Sequence, residues 1–367
     1  MQRLAGAHGD PPRRGAMSAA GATALAPWIA AQRSRLLAQR GHAWLLHGPS
    51  GLGQYALGME LVRAWLCDAP IAPGDVPIAP GNAPAAQGAA CGQCGSCHAI
   101  DVRTHADLCV LMPEVQMMAL GWPLSEKAQA EIDDKKRKPS REIRVEAMRD
   151  ALEFAQRTAG RGRGKAVLVY PAEQMNQITA NALLKTLEEP PGQIRFVLAS
   201  EAAHLLLPTI RSRCLGHAMV WPAPVQMQAW LQAQGLAPEA AASFLRAAGG
   251  RPDDALALAQ SGRSPQAWAS LPQAMARGEV AALGDWTPAQ AITALQKLCH
   301  DLLAASVGAA PRYFAPADLP RVPPLAALTR WSRALAKAAR TADHPFNAGL
   351  MLEALVAQAR NTLHSKH

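Results

Sequence analysis

HAWLLHGPSGLGQY, residues 42–55, is the stretch that decides the fold. Its first six residues form an apolar run of strand length, ended by Gly48. Beyond the glycines, Tyr55–Cys67 carries Leu57, Leu61, Ala64 and Trp65 at helical spacing. A strand, a G-x-x-x-x-G turn from Gly48 to Gly53 and a helix make the setting in which backbone N–H groups and a helix N-terminus cradle phosphates. Such a loop also needs a Lys after its last glycine, to reach the β- and γ-phosphates, and then a small hydroxyl for Mg²⁺. Those positions hold Gln54 and Tyr55. Gln is uncharged, and Tyr is too bulky to stand in for a metal-bound hydroxyl. The loop of Gly48, Gly51 and Gly53 keeps the geometry without the chemistry. On these residues alone, a glycine turn unrelated to nucleotides fits equally well.

Working outward, Asp107–Met112, Lys165–Tyr170, Ile194–Ser200 and Gly216–Trp221 read as further strands. Ala24–Gln39, Val145–Arg157 and Thr179–Glu189 read as helices. Apolar strands alternating with helices imply an α/β domain with a parallel sheet covered on both faces. In a hydrolase of this type, the strand at 165–170 would end in an acidic pair that holds Mg²⁺ and polarises water. Here it ends in Tyr170-Pro171. Two catalytic stations are missing together, which predicts a nucleotide-binding fold without hydrolysis. Beyond Pro224 the strand signals stop. Val225–Gln234, Pro238–Ala248 and Asp253–Gln260 read as three short helices. Pro265–Arg277, Pro288–Val307, Pro324–Ala339 and Asn347–Leu363 read as a helical bundle, with 311–324 as an irregular connector.

The chain has 367 residues, 49% of them hydrophobic but only 5% aromatic, so its cores rest chiefly on Ala and Leu. No apolar run approaches the length of a membrane span. Residues 1–16 lack the apolar centre of a secretory signal, and Met17 is an alternative start. The net charge of +9 is compatible with nucleic acid or an acidic partner but is diffuse. Lys135-Lys136-Arg137-Lys138, inside Glu114–Arg141, reads as a solvated surface loop, with DNA phosphates as the rival reading. Seven cysteines include Cys91-x-x-Cys94-x-x-Cys97, a pattern for metal in a reducing compartment and not for disulfides. Three thiolates at these spacings can converge on one Zn²⁺, and a closed structural site needs a fourth ligand. Cys67 is preferred, with His98, His105 and Cys109 competing. Asp68–Ala90, rich in Pro, Ala and Gly, reads as a flexible surface insertion.

Two further motifs are ordinary on their own. Asn181–Pro191, NALLKTLEEPP, has a buried face of Leu183, Leu184 and Leu187 and a Pro190-Pro191 stop. Arg213 in Ser212-Arg213-Cys214 reads as a solvated charge.

Taken together in order, HAWLLHGPSGLGQ (42–54), the cysteine triplet with upstream Cys67, HADLCVLMPE (105–114), NALLKTLEEPP and PTIRSRC (208–214) closely resemble the delta-prime subunits of bacterial DNA polymerase III clamp loaders, in the AAA+ clamp-loader family. The resemblance runs from about Pro27 to Leu256. It implies a disordered tail at 1–22, a RecA-like AAA+ domain at 23–220 with a zinc module at about 67–98, a three-helix lid at 221–262 and an all-α collar at 263–367. It implies one structural Zn²⁺ on Cys67, Cys91, Cys94 and Cys97, although the gap from Cys67 to Cys91 is longer than the family's usual spacing. No ATP is expected on this chain, with Ser200 and Arg251 at or near vestigial sensor positions. Arg213 would be offered in trans, as an arginine finger, to the nucleotide of a neighbouring gamma/tau subunit. The expected setting is a cytoplasmic, nucleoid-associated replisome, in a hetero-pentameric ring with delta and gamma/tau and without a membrane partner. That ring opens the sliding clamp and places it on primed DNA. The chain would not be an enzyme by itself, the nucleotidyltransferase activity belonging to the polymerase assembly. An active gamma/tau-type ATPase would need Lys and Ser/Thr at 54 and 55 and acids at 170 and 171. A zinc-ribbon nucleic-acid-binding protein outside replication leaves the SRC and NALLKTLEEPP motifs unexplained.

Overall fold

The computed structural model describes residues 25–71, 88–342, 344 and 347–365. The tail at 1–22 and most of the insertion after Asp68 lie outside these residues. Five strands, β1 (Ala43–His47), β2 (Leu108–Leu111), β3 (Lys165–Val169), β4 (Ile194–Ser200) and β5 (Leu215–Ala218), form one parallel sheet in the order β2-β3-β4-β1-β5. Alternation along the strands divides the sheet's contacts. Trp44, Leu46, Leu168 and Val197 pack with α1 (Pro27–Leu37) and α2 (Gln54–Leu66). Leu45, Val167, Phe196 and Leu198 pack with α6 (Val145–Gln156) and α7 (Gln177–Glu188). The middles of the central strands are apolar on both sides because both faces are covered. Gly58 lets α2 come close: a Cβ there would lie 2.8 Å from Leu168 Cδ1. This is the RecA-like α/β arrangement that the sequence predicts.

Between these elements lie α3 (Gly95–Asp101), α4 (Glu114–Ala119) and α5 (Glu126–Asp133), none of which the sequence reading anticipated. Each is eight residues or fewer, too short for periodicity to register; Ser125 caps α5 by accepting from Ala128 N–H. The reading of 135–138 as a solvated loop needs correction at Arg137. Its guanidinium pairs with Glu114 at 2.5 Å and Glu131 at 2.7 Å and is only 20% exposed. The last strand also ends three residues before Trp221, because Val220 N–H donates to the Gln32 side chain and so leaves the ladder.

A short helix, α8 (Pro208–Arg211), leads into β5, and after that strand the chain is helical. In α9 (Pro224–Ala233), α10 (Pro238–Ala247) and α11 (Pro252–Gln260), Trp230, Leu231, Phe244 and Ala255 continue the core under α1 and α2. Trp28 and Trp230 meet edge to face at 5.5 Å. A separate core holds α12 (Pro265–Arg277), α13 (Pro288–Ser306), α14 (Leu325–Arg340) and α15 (Ala348–Leu363). Buried Asp301 accepts from the N–H groups of Arg312, Tyr313 and Phe314, which orders the start of the irregular connector. Lys297 and Arg312 donate to the carbonyls of Ala247 and Gly249, joining the bundle to α10. No helix among the described residues is long and apolar enough to cross a membrane.

Candidate functional site

The glycine loop joins β1 to α2, with Gly51 and Gly53 in the left-handed region at φ 75° and 88°. Gln54 opens α2 and is 2% exposed. Its side-chain amide turns back and donates to the carbonyls of Gly48 at 2.9 Å and Pro49 at 2.8 Å. A lysine at this position would have to extend outward to reach a phosphate; the amide instead closes the loop on itself. Tyr55 packs on Tyr170, ring centroids 5.3 Å apart, and accepts from Trp122 Nε1–H at 2.8 Å. Tyr170 donates to Glu201 at 2.8 Å. Burial, with Glu201 beside it, holds the Tyr170 hydroxyl well above its usual range. The residues at two expected catalytic stations thus pack against each other, their rings tilted by 33°.

The start of α11 lies against this loop. Asp253 N–H donates to Gly51 O at 3.2 Å. A Cβ at Gly51 would lie 2.7 Å from Asp254 Oδ1, and one at Gly53 would lie 3.6 Å from Asp253 Oδ2. Burial, then the charges of Asp254 and Glu201, push Asp253 up to about 7. Arg251 donates to Ser50 Oγ at 3.0 Å and pairs with Asp254 at 2.9 Å, so its charge is already matched. Ser200 ends β4, fully buried, with its Oγ accepting from Ala202 N–H. The loop faces carboxylates, where a bound triphosphate requires cationic or N–H donors.

At the other end of α2, Cys67 is the C-cap residue, and Cys94 is the N-cap of α3. The sulfurs of Cys67, Cys91, Cys94 and Cys97 all lie within 4.8 Å of one another. Cys67 Sγ is 3.5 Å from Cys91, 3.8 Å from Cys94 and 3.8 Å from Cys97. Tetrahedral Zn²⁺ with bonds of about 2.3 Å places its sulfurs about 3.8 Å apart. Backbone N–H groups of Asp68, Cys91, Cys94 and Cys97 each donate to one of these sulfurs at 3.3–3.4 Å, as negatively charged thiolates require. The donor set fits zinc. The competing ligands stand apart: His105 bonds Ser96 Oγ and Asp107 N–H, His98 is exposed, and Cys109 lies within β2, packed against the core that includes α6 and α7. Asp68 accepts from Ser96 N–H and Oγ and lies 3.5 Å from Arg161, which fixes the residue next to Cys67.

Arg213 follows α8. Its Nε donates to Glu188 Oε1 at 2.5 Å, Nη2 donates to the same oxygen, and Nη1 donates to Thr209 O at 2.9 Å. The fold therefore brings together the last residue of the NALLKTLEE helix and the arginine of SRC. The Arg213 side chain keeps 31% of its surface exposed.

The family profile described as "DNA polymerase III, delta subunit" matches residues 31–219. A DNA polymerase III subunit delta' of Pseudomonas aeruginosa is 39% identical over 207 residues, covering 56% of this chain and 52% of that protein. The subunit delta' of Escherichia coli K12 is 33% identical over 266 residues, 71% of this chain and 67% of that protein. The chain belongs to the delta-prime family. The match spans about half the length of the Pseudomonas relative. The DNA polymerase III subunit tau of Escherichia coli K12 is 30% identical over 174 residues, 47% of this chain and 21% of that protein.

Asp253, Asp254, Glu188 and Glu201 were missed as site residues. The Arg251-Pro-Asp-Asp stretch carries only the ordinary signature of a helix start, proline at the first turn with acids behind it. Nothing in that pattern says which loop the acids would face. Glu188 had a weak signal, lying in the same motif set as Arg213.

Proposed function

We propose that this chain is a non-hydrolysing clamp-loader subunit, acting in a ring with delta and gamma/tau subunits to help place a sliding clamp on primed DNA. The observation that carries the proposal is the closed glycine loop: Gln54 bonds the loop carbonyls, and the lid acids Asp253 and Asp254 lie against its glycines. Missing Lys and Mg²⁺ ligands remove charge-assisted contacts worth about 1.5–3 kcal/mol each, and the carboxylates add repulsion. A gamma/tau-type ATPase is disfavoured by the same residues, despite the likeness to tau. The readout is calorimetry with Mg-ATP on the isolated chain, where no binding is expected at micromolar nucleotide. Tight binding would overturn this reading.

On this proposal Arg213 acts on a different polypeptide. A guanidinium held at the surface can neutralise charge growing on a neighbour's γ-phosphate. Catalysis belongs to the assembly, and this chain supplies one side chain to it. Zinc, when bound to Cys67, Cys91, Cys94 and Cys97, supplies a covalent-strength tether and no reaction step. The four amide donors and the Asp68–Ser96 bonds prepare the ligands for it. The three-part division into an AAA+ domain at 23–220, a lid at 221–262 and a collar at 263–367 belongs to the same proposal, as does a cytoplasmic place at the replisome.

A further inference from the structure

Several arginines elsewhere in the fold have a carboxylate: Arg33 has Glu60, Arg63 has Asp101, Arg137 has Glu114, Arg213 has Glu188 and Arg277 has Glu279. Helix α14 departs from this. Its sequence, LAALTRWSRALAKAAR, contains no acid. Leu328, Trp331 and Leu335 face the collar core. Arg330, Arg333, Lys337 and Arg340 recur every three or four residues on the opposite side, all exposed. Among the described residues, none of the four has an ion pair or a hydrogen bond. Like charges three and four residues apart repel along a helix. The helix C-terminus favours Lys337 and Arg340 but does nothing for Arg330 and Arg333, which stand further in.

We propose that this stripe docks the phosphate backbone of a nucleic acid strand. At 1.5 Å per residue, the four cations span about 15 Å, room for several phosphates. Three of the four are arginines, whose planar fork grips phosphate oxygens in pairs. Beside the stripe runs a groove of about 590 Å³ between α14 and α15, walled by Arg330 and Trp331 on one side and Gln358, Asn361 and Thr362 on the other. Its Gln358 and Asn361 amides can donate to sugar or phosphate oxygens. An acidic protein would want an apolar centre in its docking face, whereas only small residues such as Ala336 and Ala339 stand between these cations. Backbone contact of this kind carries no sequence preference.

The test uses the full chain and a fluorescent single-stranded oligonucleotide, read by anisotropy across a salt series. Arg330→Gln, Arg333→Gln, Lys337→Gln and Arg340→Gln combined should weaken binding roughly tenfold or more at low salt and flatten the log–log salt slope by about 3. Its thermal midpoint should hold or rise, since the substitutions relieve repulsion. The double variant Arg330→Gln, Arg333→Gln should lose about half of the slope change, and it serves alone if the quadruple variant misfolds. Lys135→Gln, Lys136→Gln and Lys138→Gln remove a comparable charge elsewhere and should leave affinity within about twofold. Equal losses in the two sets would reduce the stripe to diffuse net charge. Displacement of the oligonucleotide by polyglutamate of equal charge would assign the surface to an acidic protein. Either result overturns the proposal.

Discussion

The glycine loop and the cysteine cluster lie at the two ends of one helix, α2, and they keep opposite things. At the N-terminal end the glycine spacing of a phosphate loop is kept, while Gln54 and Tyr55 stand where its lysine and small hydroxyl would be. At the C-terminal end four side chains of one chemistry converge from two segments, the end of α2 and the stretch 91–97. The loop has a second use that explains its survival: Gly51 and Gly53 leave room for Asp254 and Ile29, which a Cβ would meet at 2.7 Å. Packing alone keeps those glycines. Four converging sulfurs, with four backbone amides aimed at three of them, have no such packing reason. Retained backbone geometry is therefore weak support for a ligand, and convergent donor chemistry is strong support.

The largest effect is expected away from both ends of α2. In rings reconstituted with Arg213→Ala, the ATP site facing this subunit should slow by about 10³-fold or more, as trans-acting arginines do where they are essential. Total clamp- and DNA-stimulated turnover should fall only in part, because other sites remain. Wild-type clamp loading in correctly assembled mutant rings would reduce Arg213 to a surface charge. Next comes the cysteine end. Cys67→Ser should drop bound zinc well below one per chain and lower the thermal midpoint, since metal binding here acts as local folding energy. Full zinc content with native stability in that variant would remove Cys67 from the ligand set.

The glycine loop end predicts a smaller effect, and its sign follows from Asp253. The folded pKa of about 7 lies above the ordinary value near 3.9, so the folded state binds the proton more tightly. That contribution is fully present below about pH 4 and is lost as pH rises through about 7. Asp253→Asn should remove this part of the pH dependence and stabilise the chain above pH 7 by on the order of 1–3 kcal/mol. Denaturant midpoints at several pH values would show it. An unchanged pH profile would mean that the acids at the start of α11 do not strain the closed loop. Gln54→Lys alone should leave Mg-ATP unbound, because the carboxylates stay in place.

How far the sequence carried these conclusions differs between the same two ends. The sheet was legible because buried parallel strands carry near-continuous apolar runs, as in Ala166–Val169 within β3 and Phe196–Ala199 within β4. The loss of phosphate chemistry was legible as identities at 54, 55 and 170. The cysteine triplet was legible by spacing, but its fourth member needed the end of α2 and the start of α3 to be brought together across the long insertion. The acids at 253 and 254 were illegible because their role depends on a contact two hundred residues away in the chain. The short helices α3, α4 and α5 offered fewer than three turns of pattern, and the pairing of Arg137 depends on how they fold back.

The smallest expected effect concerns Glu188. It holds Arg213 through two donors on one side of the guanidinium, with Thr209 O on another, and leaves part of the fork exposed. A half-exposed pair is worth under about 1 kcal/mol, too little to withhold the arginine from a triphosphate, but enough to limit its rotamers beforehand. On the proposed trans role of Arg213, Glu188 is a positioning residue for it and not a lock on it. Glu188→Gln should slow the neighbour's ATP turnover by roughly two- to fivefold, leave ring assembly unchanged, and add little to Arg213→Ala when the two are combined. Faster turnover in Glu188→Gln rings would mean that the carboxylate restrains Arg213 instead of aiming it. Additive losses in the double variant would separate the two residues altogether.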